Sequence, residues 1–167
     1  MKKLLFILLI ILSATPAIFS QTVFASQNAE AYANLIVPLS ITPTSGDLDF
    51  GEIILTGSPY SPAIRPTSGK LFVVNGHPAR TINVTFNDII LDNNLWVAAT
   101  GGVPGLLTFT PDVELDDGTN VISGGSHMLV LNGGVGELLF WVGGSISIAG
   151  NQSHGDYLGL FTLDVSY

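Results

Sequence analysis

The sequence predicts an all-β sandwich, and three observations lead there. Short apolar runs with a period of two recur along the chain. Nineteen glycines and nine prolines punctuate them. After residue 26 no stretch of eleven residues combines helical spacing with helix formers.

The strands are legible in order. Ala33, Leu35, Val37, Leu39 and Ile41 share a face opposite Asn34 and Ser40, and Pro38 among them implies an edge strand or a bulge. Leu48 to Leu55 is a second apolar run, broken by Gly51. Leu71 to Val74 reads as a third strand, closed by an Asn75-Gly76 turn. Ile82, Val84 and Phe86 alternate with Thr81, Asn83, Thr85 and Asn87. Leu107, Phe109, Val113 and Leu115 alternate with Thr108, Thr110, Asp112, Glu114 and Asp116; Asp117-Gly118 then turns the chain toward Val121-Ile122. Met128 to Leu131 is a further short strand. Leu138 to Ile148 is long, with Gly143-Gly144 as an expected bulge. Tyr157, Phe161, Leu163, Val165 and Tyr167 share a face of the last strand.

Such punctuation makes a sandwich or a barrel. A membrane barrel needs strands of about 9–11 residues with one lipid-facing side, longer than most runs here. The expected architecture is therefore an immunoglobulin-like β-sandwich of about eight antiparallel strands. It forms one domain over residues 26–167, with Thr56 to Ser68 as a long surface loop.

The first residues read as a secretory signal, residues 1–25. Lys2 and Lys3 precede an unbroken apolar run, Leu4 to Leu12, and Val23-Phe24-Ala25 supplies a cleavage site after Ala25. Cleavage after Ser20 is the alternative. The run is shorter than the ~20 apolar residues of a membrane span. Export predicts a secreted protein of the periplasm or cell surface.

Without Lys2 and Lys3, three basic residues face 13 acidic ones, a net charge of −10. That charge repels nucleic acid and anionic lipid. With no cysteine in the chain, disulfides are excluded and the apolar core must stabilise the fold alone.

Two segments resemble a known family. One is Ala33-Asn34-Leu35-Ile36-Val37-Pro38-Leu39-Ser40-Ile41 followed by Asp47-Leu48-Asp49-Phe50-Gly51. The other is Leu139 to Tyr167, with Val142-Gly143-Gly144-Ser145-Ile146, Gly155-Asp156-Tyr157 and Gly159 to Tyr167. Together they resemble a bacterial secreted family of unknown function that is similar to spore-coat-U-like and chaperone–usher fimbrial subunits. In fimbrial subunits a glycine lies about a dozen residues before a near-terminal tyrosine, and Gly155 and Tyr167 look like that pair. Such subunits borrow a strand from a neighbour. The resemblance implies a place at the cell surface and an architecture, not a reaction; this chain departs from many fimbrial subunits in having no cysteine pair.

Candidate chemistry is sparse. Asp112, Glu114, Asp116 and Asp117 could offer oxygen ligands to Ca²⁺, but the glycine comes one place late for an EF-hand loop and Ser123 stands where its glutamate belongs. They read as a solvated strand face ending in a turn. Asp47 and Asp49 read as turn and edge residues. His77, His127 and His154 fall in separate loops, with no spacing of a metal site or catalytic triad. Asn83-Val84-Thr85 and Asn151-Gln152-Ser153 match the glycosylation sequon, by chance if the source is bacterial. Trp141 reads as core; Trp96 could be a sugar-stacking platform.

No catalytic, cofactor-binding or metal-binding residue is assigned, and no cofactor is expected. The expectation is a non-catalytic structural or assembly subunit of the bacterial surface, pilin-like or coat-like. Its partners would be copies of itself or related subunits joined through strand edges, with a periplasmic chaperone as a possible helper. The alternative is a monomeric secreted binding module for carbohydrate or a Ca²⁺-dependent ligand, using Trp96 or the acidic loop.

Overall fold

A computed structural model describes residues 25–44 and 46–167. The expected export signal therefore lies, apart from Ala25, outside the described residues. The chain divides into two units at Asn34. The described part of the first, Ala25–Asn34, is exposed and has neither strand nor helix.

The second unit is an all-β sandwich of two antiparallel sheets. Its strands are β1 (Ser40–Pro43), β2 (Ala63–Ile64), β3 (Lys70–Gly76), β4 (Thr81–Thr85), β5 (Ile89–Asp92), β6 (Leu106–Leu115), β7 (Gly125–Met128), β8 (Val130–Asn132), β9 (Val135–Ser147) and β10 (Asp164–Ser166). A short helix, α1 (Asn94–Thr100), follows β5, and Pro66–Ser68 form a 3-10 turn. The large sheet runs β1-β3-β9-β6-β5, with β2 and β8 also pairing to β9; the small sheet is β10-β4-β7. Among the described residues no helix is long and apolar enough to cross a membrane.

Alternation fixes which side chains go inside. In β4, Ile82 and Val84 are fully buried between exposed Thr81, Asn83 and Thr85, because successive residues of a strand face opposite sides. β6 turns Leu107, Phe109 and Val113 inward. Its Pro111 lies beyond the β5 ladder, which ends at Phe109, so one of its two edges is free. The central β9 contributes Phe140, Val142 and Ile146.

Several expected elements differ. The first strand pairs only from Ser40, opposite Asn75; β3 ends at Gly76, leaving Ala33–Leu39 no ladder to join. Leu48–Leu55 forms no strand, because Asp49 accepts the Gly51 N–H at 2.8 Å and Gly51 takes a left-handed φ of 66°, which turns the chain. Asn75-Gly76 is not a turn: β3 continues through both, paired to β9, and the reversal follows at His77–Arg80. Met128 to Leu131 is two strands in different sheets, with buried Leu129 at the crossing.

The β6–β9 register runs unbroken through Gly143 and Gly144, so the expected bulge is not there. The extra residues lie opposite, where Arg65–Gly69 interrupts the β2–β3 edge along β9. A Cβ on Gly143 would sit 2.3 Å from the Ile64 carbonyl oxygen, so this close approach needs glycine. The expected loop Thr56 to Ser68 holds β2, the 3-10 turn and a bridge from Tyr60 to Ile148. The last strand is divided between the sheets: Leu158 bridges to Asp92 of β5, and Asp164–Ser166 pair with β4.

Candidate functional site

The small sheet covers only part of the large one. Where it stops, Leu107 and Phe109 of β6, Ile146 of β9 and the following Ile148 form a second apolar cluster. Two extended segments lie over it, Asp47–Leu55 and Gln152–Phe161. Between them opens a cleft of about 1030 Å³ whose floor is the inner face of the large sheet.

Neither wall is built as a strand. Leu48, Phe50 and Ile53 pack onto the floor from one side, Tyr157 and Phe161 from the other. Leu158 exchanges both backbone hydrogen bonds with Asp92, at 2.9 and 3.0 Å. In an antiparallel pair the residues on either side of such a position point their N–H and C=O groups away from the partner. Tyr157 and Gly159 occupy those positions, and their backbone groups have no partner among the described residues.

Polar side chains hold the walls. The Tyr157 hydroxyl accepts from Gln152 Nε2 and donates to the Ser153 carbonyl, both at 2.7 Å. Lys70 reaches the Gly46 carbonyl and forms an ion pair with Asp47 at 3.4 Å. Asn93, with no exposed surface, accepts the Gly105 N–H at 2.7 Å and donates to the carbonyls of His154 at 3.0 Å and Val103 at 3.3 Å. One side chain thus ties the entry to α1, the loop after it and the second wall together. Sequence reading missed Asn93, and α1 itself, at seven residues, is too short to show a periodicity.

Comparison with known proteins finds no matching family model and no matching curated protein.

The residues singled out in the sequence do not converge. Trp96 is not an open platform: its ring is packed against Gly102 and Gly155, with His154 edge-on at 5.0 Å. Trp141 is not in the core. It lies on the outer face of the large sheet, opposite Leu71 and Glu114, and its indole N–H donates to Asp116 at 3.0 Å. Asp112 accepts from Asn120 at 3.3 Å. Asp117 accepts the Thr119 N–H at 2.8 Å; the Thr119 hydroxyl first, and its N–H second, hold this carboxyl below the usual carboxylate range.

His77 accepts the Val37 N–H through Nδ1 at 3.4 Å. His127 packs edge-on to Phe140, and its Nε2 is buried without a hydrogen-bond partner among the described residues. Asn83 is bonded to Ser126 at 2.7 Å, and Asn151 is exposed in a turn. Among the described residues no group of three His, Asp or Glu side chains could hold a metal ion. The cleft therefore combines an apolar floor with free backbone groups on a wall, which suits an extended chain.

Proposed function

We propose that this chain is an exported, non-catalytic structural subunit of the bacterial cell surface, pilin-like in its assembly and immunoglobulin-like in its sandwich. Its partners are copies of itself or related subunits, joined by strand addition. The cleft supports this reading: strand-patterned walls without a ladder flank an apolar floor of strand-like length. An added strand would bury apolar side chains on that floor and meet the free groups of Tyr157 and Gly159. The candidate donor is the segment before Ser40. Ala33, Leu35 and Val37 alternate there with no ladder of their own, and Leu35 is 82% exposed.

The absence of cysteine allows a direct test. Protein starting at Ser26 is made with Leu35→Cys in one sample, and with Leu55→Cys or Leu160→Cys, one from each wall, in others. Mixing and mild oxidation should give disulfide-linked dimers of arm and wall, suppressed by excess peptide covering residues 26–41. Failure of both wall positions to cross-link, with wild-type protein monomeric in sedimentation at high concentration, would refute the reading.

A further inference from the structure

The segment before β1 is held by side chains alone. Val37 sits beyond the end of the β1–β3 ladder, and its two backbone groups are met by two side chains from elsewhere in the unit. The Tyr167 hydroxyl donates to the Val37 carbonyl at 2.7 Å, and His77 Nδ1 accepts the Val37 N–H. The His77 N–H closes the ring by donating to the same Tyr167 hydroxyl at 2.7 Å. Gly76 leaves room for it: a Cβ there would lie 2.6 Å from that oxygen and 3.1 Å from Leu39. Arg80 rests over the Tyr167 ring, 5.4 Å from its centre.

Either side of Val37 the chain is open. Leu35 is 82% and Ile36 45% exposed, and Pro38 has no N–H to give a ladder. A segment with no ladder and few buried contacts opens locally at low cost. Val37, with Leu39 packed on the core beside it, is thus where hydrogen bonds attach the chain before the β1 ladder.

We propose that Tyr167 is a releasable latch on the N-terminal segment. Latched, residues 35–39 stay on their own domain and the subunit is self-contained. Unlatched, the alternating face of Ala33, Leu35 and Val37 is free to pair with a second copy. The second half of this statement rests on the assembly reading above; the latch itself does not.

Tyr167→Phe tests both parts, since it deletes the hydroxyl and keeps the ring. Hydrogen exchange of the Val37 and Leu39 amides should accelerate about tenfold, the scale of one net hydrogen bond, while Phe140 and Val142 in β9 stay protected. Cross-linking of Leu35→Cys to a wall cysteine should quicken in the same background. His77→Ala, which removes the direct acceptor of the Val37 N–H, should also accelerate exchange at Val37, and it serves if the tyrosine variant folds poorly. Unchanged exchange at Val37 in both variants overturns the latch. So does loss of β9 protection together with Val37, which would make Tyr167 an ordinary core support. Faster exchange without faster cross-linking keeps the latch and removes its role in assembly.

Discussion

The two ends of the large sheet are built from the same strands and finished differently. At one end β3, β6 and β9 meet the small sheet, and Val74, Ile82, Val84, Phe140 and Val142 have no exposed surface. At the other end the same β6 and β9 present Phe109 and Ile146, still nearly buried at 2% and 4% exposed, beneath segments with no ladder. Phe161 belongs to both clusters, its ring 6.3 Å from Phe72, 6.5 Å from Phe86 and 6.0 Å from Phe109. The inner side chains of the large sheet are thus buried at both ends, whereas the segments that cover them form a ladder at only one. Burial is non-directional and is met by packing; a strand's hydrogen bonds need a neighbour in register. The cleft marks where the first requirement is met and the second is not.

The largest effect that tests this contrast is a matched pair of truncations. Phe140→Ala opens a cavity between two laddered sheets that can hardly collapse, and should cost about 5 kcal/mol. Phe109→Ala removes a ring under movable walls beside an existing cleft, and should cost about 3 kcal/mol, the low end for phenylalanine. Urea unfolding followed by tryptophan fluorescence gives both values. Equal losses would mean that the covering segments are as rigid as a sheet.

Asn93→Ala should come next, at about 2 kcal/mol, because it removes a side chain with no exposed surface and leaves the Gly105 N–H and two carbonyls without it. Its mark should be regional. Amides of Gln152–Tyr157 should lose exchange protection while those of β4 keep theirs. Uniform loss across both would make Asn93 a general stabiliser rather than a holder of the cleft wall.

How much of this was legible depends on which force decides each element. β4 and β6 were readable because one face is buried and the other wet, so Ile82, Val84, Leu107, Phe109 and Val113 fall on alternate residues. The same signal cannot name a partner. Met128 to Leu131 looks like one strand, but Gly125–Met128 pair with β4 and Val130–Asn132 with β9; a period of two is identical in either sheet. Leu48–Leu55 and Tyr157–Leu163 misled for the same reason, since Leu48, Phe50, Ile53, Tyr157 and Phe161 pack inward without a ladder. Trp141 looked like core because its neighbours are apolar, yet parity with Phe140 and Val142 puts it on the outer face. The cleft itself was not legible, as it arises from the difference in extent between two sheets.

The smallest expected effect lies at the turn that closes β6 beside the laddered end. Asp117 and Thr119 lock this turn, after which Val121 returns to the core at 3% exposed. The Thr119 hydroxyl and N–H favour the charged carboxylate, so the folded protein holds Asp117 ionised to lower pH than the unfolded chain does. Its stabilising contribution is therefore full above the unfolded-state value and fades as pH falls through the lower folded-state value. Asp117 is fully exposed, so solvent screening keeps that contribution small. NMR titration of the Asp117 side-chain carboxyl should give a midpoint below the ordinary aspartate value. In Thr119→Val, which deletes the larger of the two influences and keeps the N–H, the midpoint should move back up but not all the way. The acid-side loss of stability in urea melts should then be smaller and be complete at slightly higher pH. An unmoved midpoint would show that the backbone N–H alone sets this carboxylate, and that the turn is held by its Asp-Gly geometry.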